Sequence, residues 1–166
     1  MTDLLALAAD LPSLDFAAEE VLLEEGSSPG RMFVLESGSV VIEHAGVPFA
    51  RIDTPGAVLG EMAAVLDKPA TATVRAASSV TVRVVEHPVE FLTDRPGAAL
   101  AVLRTTASRL DGLTHYLVDV KNQYGGQDGH LGMVDQILDH LVHHQGPAAH
   151  TGSVRDPEGD HAHDDG

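Results

Sequence analysis

Leu59-Gly60-Glu61-Met62-Ala63-Ala64-Val65-Leu66-Asp67-Lys68-Pro69-Ala70-Thr71-Ala72-Thr73-Val74 carries more information than any other stretch of this chain. A Gly-Glu pair stands at its head, and Thr71-Ala72-Thr73-Val74 returns about ten residues later. Backbone N–H groups at a helix N-terminus are ready anion receptors, and Gly60 lets a backbone approach a ligand closely. Thr71 adds a hydroxyl and an N–H, and Ala72 adds an N–H. The stretch therefore offers a helix start and a hydroxyl-bearing return as its polar groups.

Working outward, the chain from Ser13 to Glu86 is made of short runs rich in Val and Ile. They are Val21-Leu22-Leu23-Glu24, residues 31–36, residues 39–43, Val47 to Ile52, Ala72 to Ala76 and Val80 to Val85. Gly26, Pro29-Gly30, Ser37-Gly38, Ala45-Gly46 and Pro55-Gly56 punctuate them as turns. Short strands at this spacing predict a mainly β fold, an antiparallel roll or jelly roll. In Ser79-Val80-Thr81-Val82-Arg83-Val84 the valines fall at every second position, so they face a core while Ser79, Thr81 and Arg83 face water.

Helices flank this region. Thr2 to Asp10 reads as a short helix capped by Thr2 and stopped by Pro12. Pro88 starts a second helical pattern. Pro96 suits the first position of a third, which runs from about Gly97 to Tyr124. Leu100, Leu103, Ala107, Leu110, Leu113 and Leu117 recur there at three- and four-residue steps. Gly125-Gly126 ends it, and a shorter amphipathic helix is expected at about Leu131 to His144. The expected organisation is a domain over residues 2–124, a linker and short helix over 125–145, and a disordered acidic, His-rich tail over 146–166.

The composition narrows the classes. Aromatics are 4% of 166 residues and Trp is absent, so the core must be aliphatic. With no Cys there is no disulfide, thiolate metal site or thiol nucleophile. The net charge is −15, split as 17 acids against 9 bases over residues 1–126 and 8 against 1 over 127–166. Such a surface repels phosphate backbones and anionic lipid, which disfavours direct DNA binding. The acidic start lacks a basic signal region, and no apolar run has the roughly 18–20 residues of a membrane span. The expectation is a cytoplasmic protein.

Taken together, the order of elements and the Gly60–Val74 stretch resemble the cyclic-nucleotide-binding domain family, over roughly residues 2–124. Met32-Phe33-Val34-Leu35-Glu36-Ser37-Gly38-Ser39-Val40 looks like the family's Tyr/Phe-hydrophobic-x-x-Gly-x-Val strand pair, and Pro55-Gly56 sits at its Pro-Gly turn. The resemblance implies an eight-stranded roll with a helix-containing phosphate cassette. It implies that Gly60, Glu61, Met62, Ala63, Thr71 and Ala72 bind the ligand, with Glu61 accepting from the ribose 2′-hydroxyl. The family's phosphate-gripping arginine corresponds to Ala70. Its loss removes about 1.5–3 kcal/mol of charged hydrogen bonding, or about one to two orders of magnitude in affinity. It also leaves Glu61 as an uncompensated charge beside the anion site. Lys68 is either a relocated cation or a solvated turn lysine.

The resemblance further implies that the long helix over residues 97–124 pairs with its twin in a homodimer, with Leu103, Leu110, Leu113 and Leu117 as a seam. The alternative is that these leucines pack on the chain's own roll. Thr114 lies near the point where that helix would present a hydroxyl to a purine. Only 42 residues follow Tyr124, and Arg155 is their one base, so no DNA-binding recognition helix is expected. Seven of the ten histidines lie at or beyond His130. His140 and His144 share a helix face, but without a third ligand they read as a solvated face rather than a metal site. The expected function is a non-enzymatic sensor, without cofactor or metal, whose ligand is cyclic AMP or cyclic GMP and whose helices signal to an unidentified protein partner. The alternative is a dimeric interaction module that keeps the fold and has lost the nucleotide.

Overall fold

The computed structural model describes residues 3–124 together with Gln136, Ile137 and Asp139. Its elements are α1 (Leu4–Leu7), β1 (Ser13–Phe16), β2 (Val21–Leu23), β3 (Met32–Ser37), β4 (Val40–His44), β5 (Val47–Ile52), β6 (Val58–Leu59), α2 (Glu61–Leu66), β7 (Thr73–Ala76), β8 (Val80–Val85), α3 (Pro88–Asp94) and α4 (Pro96–Tyr124). The chain divides into two compact units, residues 1–111 and residues 112–166. All eight strands belong to the first.

The strands form two four-stranded antiparallel sheets, ordered β1-β8-β3-β6 and β2-β7-β4-β5. This is the expected roll. Between the sheets lies an aliphatic core with Leu22, Leu23, Phe33, Leu35, Val40, Val74, Val80, Val82 and Val84. The alternation of β8 holds: Val80, Val82 and Val84 point inward, while Thr81 and Arg83 lie in partly exposed positions between them.

A second apolar cluster explains why β3 reads as an unbroken apolar run. Phe33 and Leu35 face the first core, while Met32 and Val34 face Leu4, Ala8, Val58, Val85, Phe91, Ala98 and Val102. β3 is thus buried on both faces, and α1, α3 and the start of α4 cover the outer one. Arg95, at the junction of α3 and α4, fastens α1 in place. It donates to both carboxylate oxygens of Asp10, at 2.8 and 2.7 Å, and to the Leu7 carbonyl.

The N-terminal helix is shorter than expected and is capped one residue later. The Asp3 carboxylate accepts from the Leu5 N–H at 3.0 Å, so an aspartate rather than Thr2 caps it. At Gly38, between β3 and β4, φ is 89°, and a β-carbon would lie 2.1 Å from the Ser79 carbonyl oxygen. Only glycine fits there. Gln136, Ile137 and Asp139 are helical, within the expected 131–144 helix. The rest of that helix and the 146–166 tail lie outside the described residues.

Candidate functional site

The decisive stretch folds as a helix and a return loop. Gly60 precedes α2 with φ of 83°, and a β-carbon there would meet Leu23 Cδ1 at 2.8 Å. The left-handed turn and the close packing both call for glycine. The turn delivers Glu61 as the first residue of α2, 4% exposed in spite of its charge. After α2, Asp67 adopts a left-handed conformation with φ of 50°, and the Lys68 N–H returns to the Ala63 carbonyl at 3.0 Å.

The return loop is held by its neighbours' backbone. The Ala70 N–H donates to the Ser27 carbonyl at 2.8 Å, and the Ala70 carbonyl accepts from the Gly26 N–H at 2.7 Å. A ring nitrogen of His44 lies 2.9 Å from the Thr71 carbonyl and 3.2 Å from the Glu25 carboxylate. The Thr73 hydroxyl accepts from the Glu25 N–H at 3.0 Å. Ala70 itself is buried at 6% exposure. Among the described residues, the N–H groups of Thr71 and Ala72 have no protein acceptor. The first N–H groups of α2 also lack intrahelical partners, and no side chain caps them. Glu61, Met62 and Ala63 on α2, and Thr71 and Ala72 on the return loop, therefore carry backbone donors without a protein partner.

The residue that sequence reasoning missed is Arg109. It reaches from α4 to Glu61, Nη1 to Oε1 2.5 Å apart, with the Arg109 side chain 44% exposed and that of Glu61 6% exposed. Glu61 is thus compensated, which corrects the expectation that losing the cassette arginine leaves it uncompensated. The reason is physical: a carboxylate this buried needs a counter-charge. In sequence, Arg109 stands beside Leu110 within a pattern of leucines and carries no signal of its own. Lys68 is not part of this pair; it is exposed, beyond the left-handed turn at Asp67. Thr114 stands on the part of α4 that belongs to the second unit.

Among the described residues no cluster of three His, Asp or Glu could hold a metal, and no helix is long and apolar enough to cross a membrane. The stretch thus offers a buried carboxylate paired with an arginine from a different element, and backbone donors on α2 and the return loop.

Comparison with known proteins agrees with the fold. Residues 13–89 match the cyclic nucleotide-binding domain family, a span that contains all eight strands and α2. The acetyltransferase Pat of Mycolicibacterium smegmatis is 38% identical over 77 residues, which are 45% of this chain and 23% of that protein. The chain thus spans under a quarter of that relative's length. A structure of a cAMP-binding acyltransferase from Mycobacterium smegmatis, an arginine-to-lysine mutant, is similar with a TM-score of 0.54 and 32% identity, over 66% of this chain and 36% of that one. The catabolite activator protein of Thermus thermophilus gives a TM-score of 0.58 over 70% of this chain and 57% of that one, and at 18% identity it speaks for the fold alone. With its two antiparallel sheets, its helix-bearing cassette and its match over residues 13–89, this chain carries a cyclic nucleotide-binding domain over those residues.

Proposed function

We propose that this chain is a non-enzymatic regulatory module that senses a cyclic nucleotide, cyclic AMP before cyclic GMP, and transmits the event through its long helix to a protein partner. The observation that carries the reading is the Glu61–Arg109 pair, a 2.5 Å link between the cassette and α4. Glu61 is the acceptor that a ribose hydroxyl would use, and Arg109 is a charged donor within reach of whatever sits beside Glu61. A nucleotide entering here supplies a hydroxyl to Glu61 and an anion to Arg109 and to the N–H groups of Thr71 and Ala72. Its binding therefore changes the force that holds α4 against α2. A ligand shifts such an equilibrium only by its differential affinity for the two arrangements, and the shared pair provides that difference.

Exposed Leu103, Leu110 and Leu113 favour a homodimer through α4 as the output-bearing form. The second reading, a fold that has lost its ligand, is favoured by Ala70. Its side chain brings no cation to the loop, and Arg109 already satisfies Glu61. Calorimetry with cyclic AMP and cyclic GMP separates the two. The sensor reading expects saturable binding, weaker than in members that keep the arginine, and weaker still in Arg109→Ala. Absence of heat at millimolar ligand leaves the interaction module.

A further inference from the structure

Of the residues assigned to the cassette, Ala63 and Lys68 line a cleft of about 320 Å³ on the same unit, whereas Glu61, Ala70, Thr71, Ala72 and Arg109 do not. It opens between the loop Ser28–Arg31, the later part of α2 with the turn after it, and the first turn of α3. The volume lies at the lower end of the range for small-molecule sites. We infer that this cleft is a second ligand site, built for a small amphipathic monocarboxylate.

Two cations, Arg31 and Lys68, line it, on a chain whose net charge is −15. The nearest carboxylate to the Arg31 guanidinium, among the described residues, is Glu86 at a loose 3.9 Å. The guanidinium also lies 5.3 Å from the centroid of the Phe33 ring, a contact that fixes its position without using its N–H donors. A planar fork held in this way matches a carboxylate. Lys68 reaches the cleft because Asp67 takes the left-handed turn that residues with a β-carbon avoid. Ala63, Ala64 and Val89 in the walls give the ligand an apolar surface, and Val89 is 61% exposed.

Asp67 lines the same cleft and sets the charge of what fits. Two cations in the walls face Asp67 there and Glu86 just outside, at 3.9 Å from Arg31, so the cleft has room for one negative charge at most and opposes two or three. A carboxylic acid with a short apolar body is accepted, and a phosphate ester is not. A free acid and the carboxyl terminus of a peptide share this chemistry.

The test is an amide NMR titration of the full chain with hexanoate, with hexylammonium as control and acetyl-alanyl-leucine as the peptide probe. Hexanoate should shift the amides of Arg31, Ala64, Lys68 and Val89 saturably, and hexylammonium should not. Arg31→Gln and Lys68→Gln should each weaken hexanoate roughly tenfold, as expected on losing a charged hydrogen bond. Tighter binding of hexanoate than of the peptide assigns a free acid, and the reverse assigns a peptide terminus. Equal shifts with hexylammonium, or no saturation, overturn the site. Cyclic AMP should leave hexanoate binding unchanged whether or not it binds the cassette; displacement of hexanoate by cyclic AMP also overturns it.

Discussion

Glu61 is the residue on which the account turns. A carboxylate 4% exposed at the head of α2 costs free energy unless it is paired, and Arg109 pairs it. Arg109→Ala should cost about 1.5–3 kcal/mol in urea unfolding, less than the loss of a fully buried partner because the Arg109 side chain is 44% exposed. Two glycines set a graded comparison. Gly60→Ala should cost about 1–2 kcal/mol, since its new methyl meets only the flexible end of Leu23. Gly38→Ala should cost more, at least about 3 kcal/mol, because its methyl would sit 2.1 Å from a backbone carbonyl. Equal costs would contradict the steric reading. Gly60, Glu61, Thr71 and Ala72 stand out in sequence as a set, because their order and spacing form a motif. Arg109 was not legible, since it meets Glu61 only through tertiary packing 48 residues away.

At the scale of elements, six of the eight strands announce themselves as Val- and Ile-rich runs between turn residues. The two that do not are β1 and β6. β1 is Ser-Leu-Asp-Phe, an edge strand paired only with β8, and with no Val or Ile and only four residues its alternation is too short to stand out. β6 is two residues long, too short for any alternation. The start of α1 misleads because Thr2 and Asp3 both suit an N-cap, and only the geometry selects Asp3. The clamp between α1 and the α3–α4 junction predicts a pH dependence. Hydrogen bonding from Arg95, followed by the backbone hydrogen bond at Asp10 itself, lowers the Asp10 carboxyl from its ordinary 3.8 to about 2. The folded state therefore holds this proton less tightly than the unfolded one. The clamp's contribution is complete above pH 3.8 and is lost as pH falls toward about 2. Acid unfolding of Asp10→Asn should lose that part of its pH dependence; an unchanged curve would remove the clamp from the account.

For the whole molecule, the fold was the most readable property and the ligand the least. The β-roll follows from turn spacing, alternation and the cassette together, each pointing to the same architecture. In the proposed sensor, ligand affinity depends on one position, Ala70, and on a compensating charge that arrives from another element. The proposed dimer belongs to this scale as well. Leu110→Asp combined with Leu117→Asp should convert a dimer to a monomer in sedimentation equilibrium, and an unchanged mass would refute the α4 seam. The central claim, that the scaffold still senses a cyclic nucleotide, has a more direct test in calorimetry of cyclic AMP on the natural chain and on Ala70→Arg. The account predicts saturable binding to the natural chain and an affinity about one to two orders of magnitude higher in the variant, as a restored charged fork supplies. Failure of both proteins to bind would contradict it.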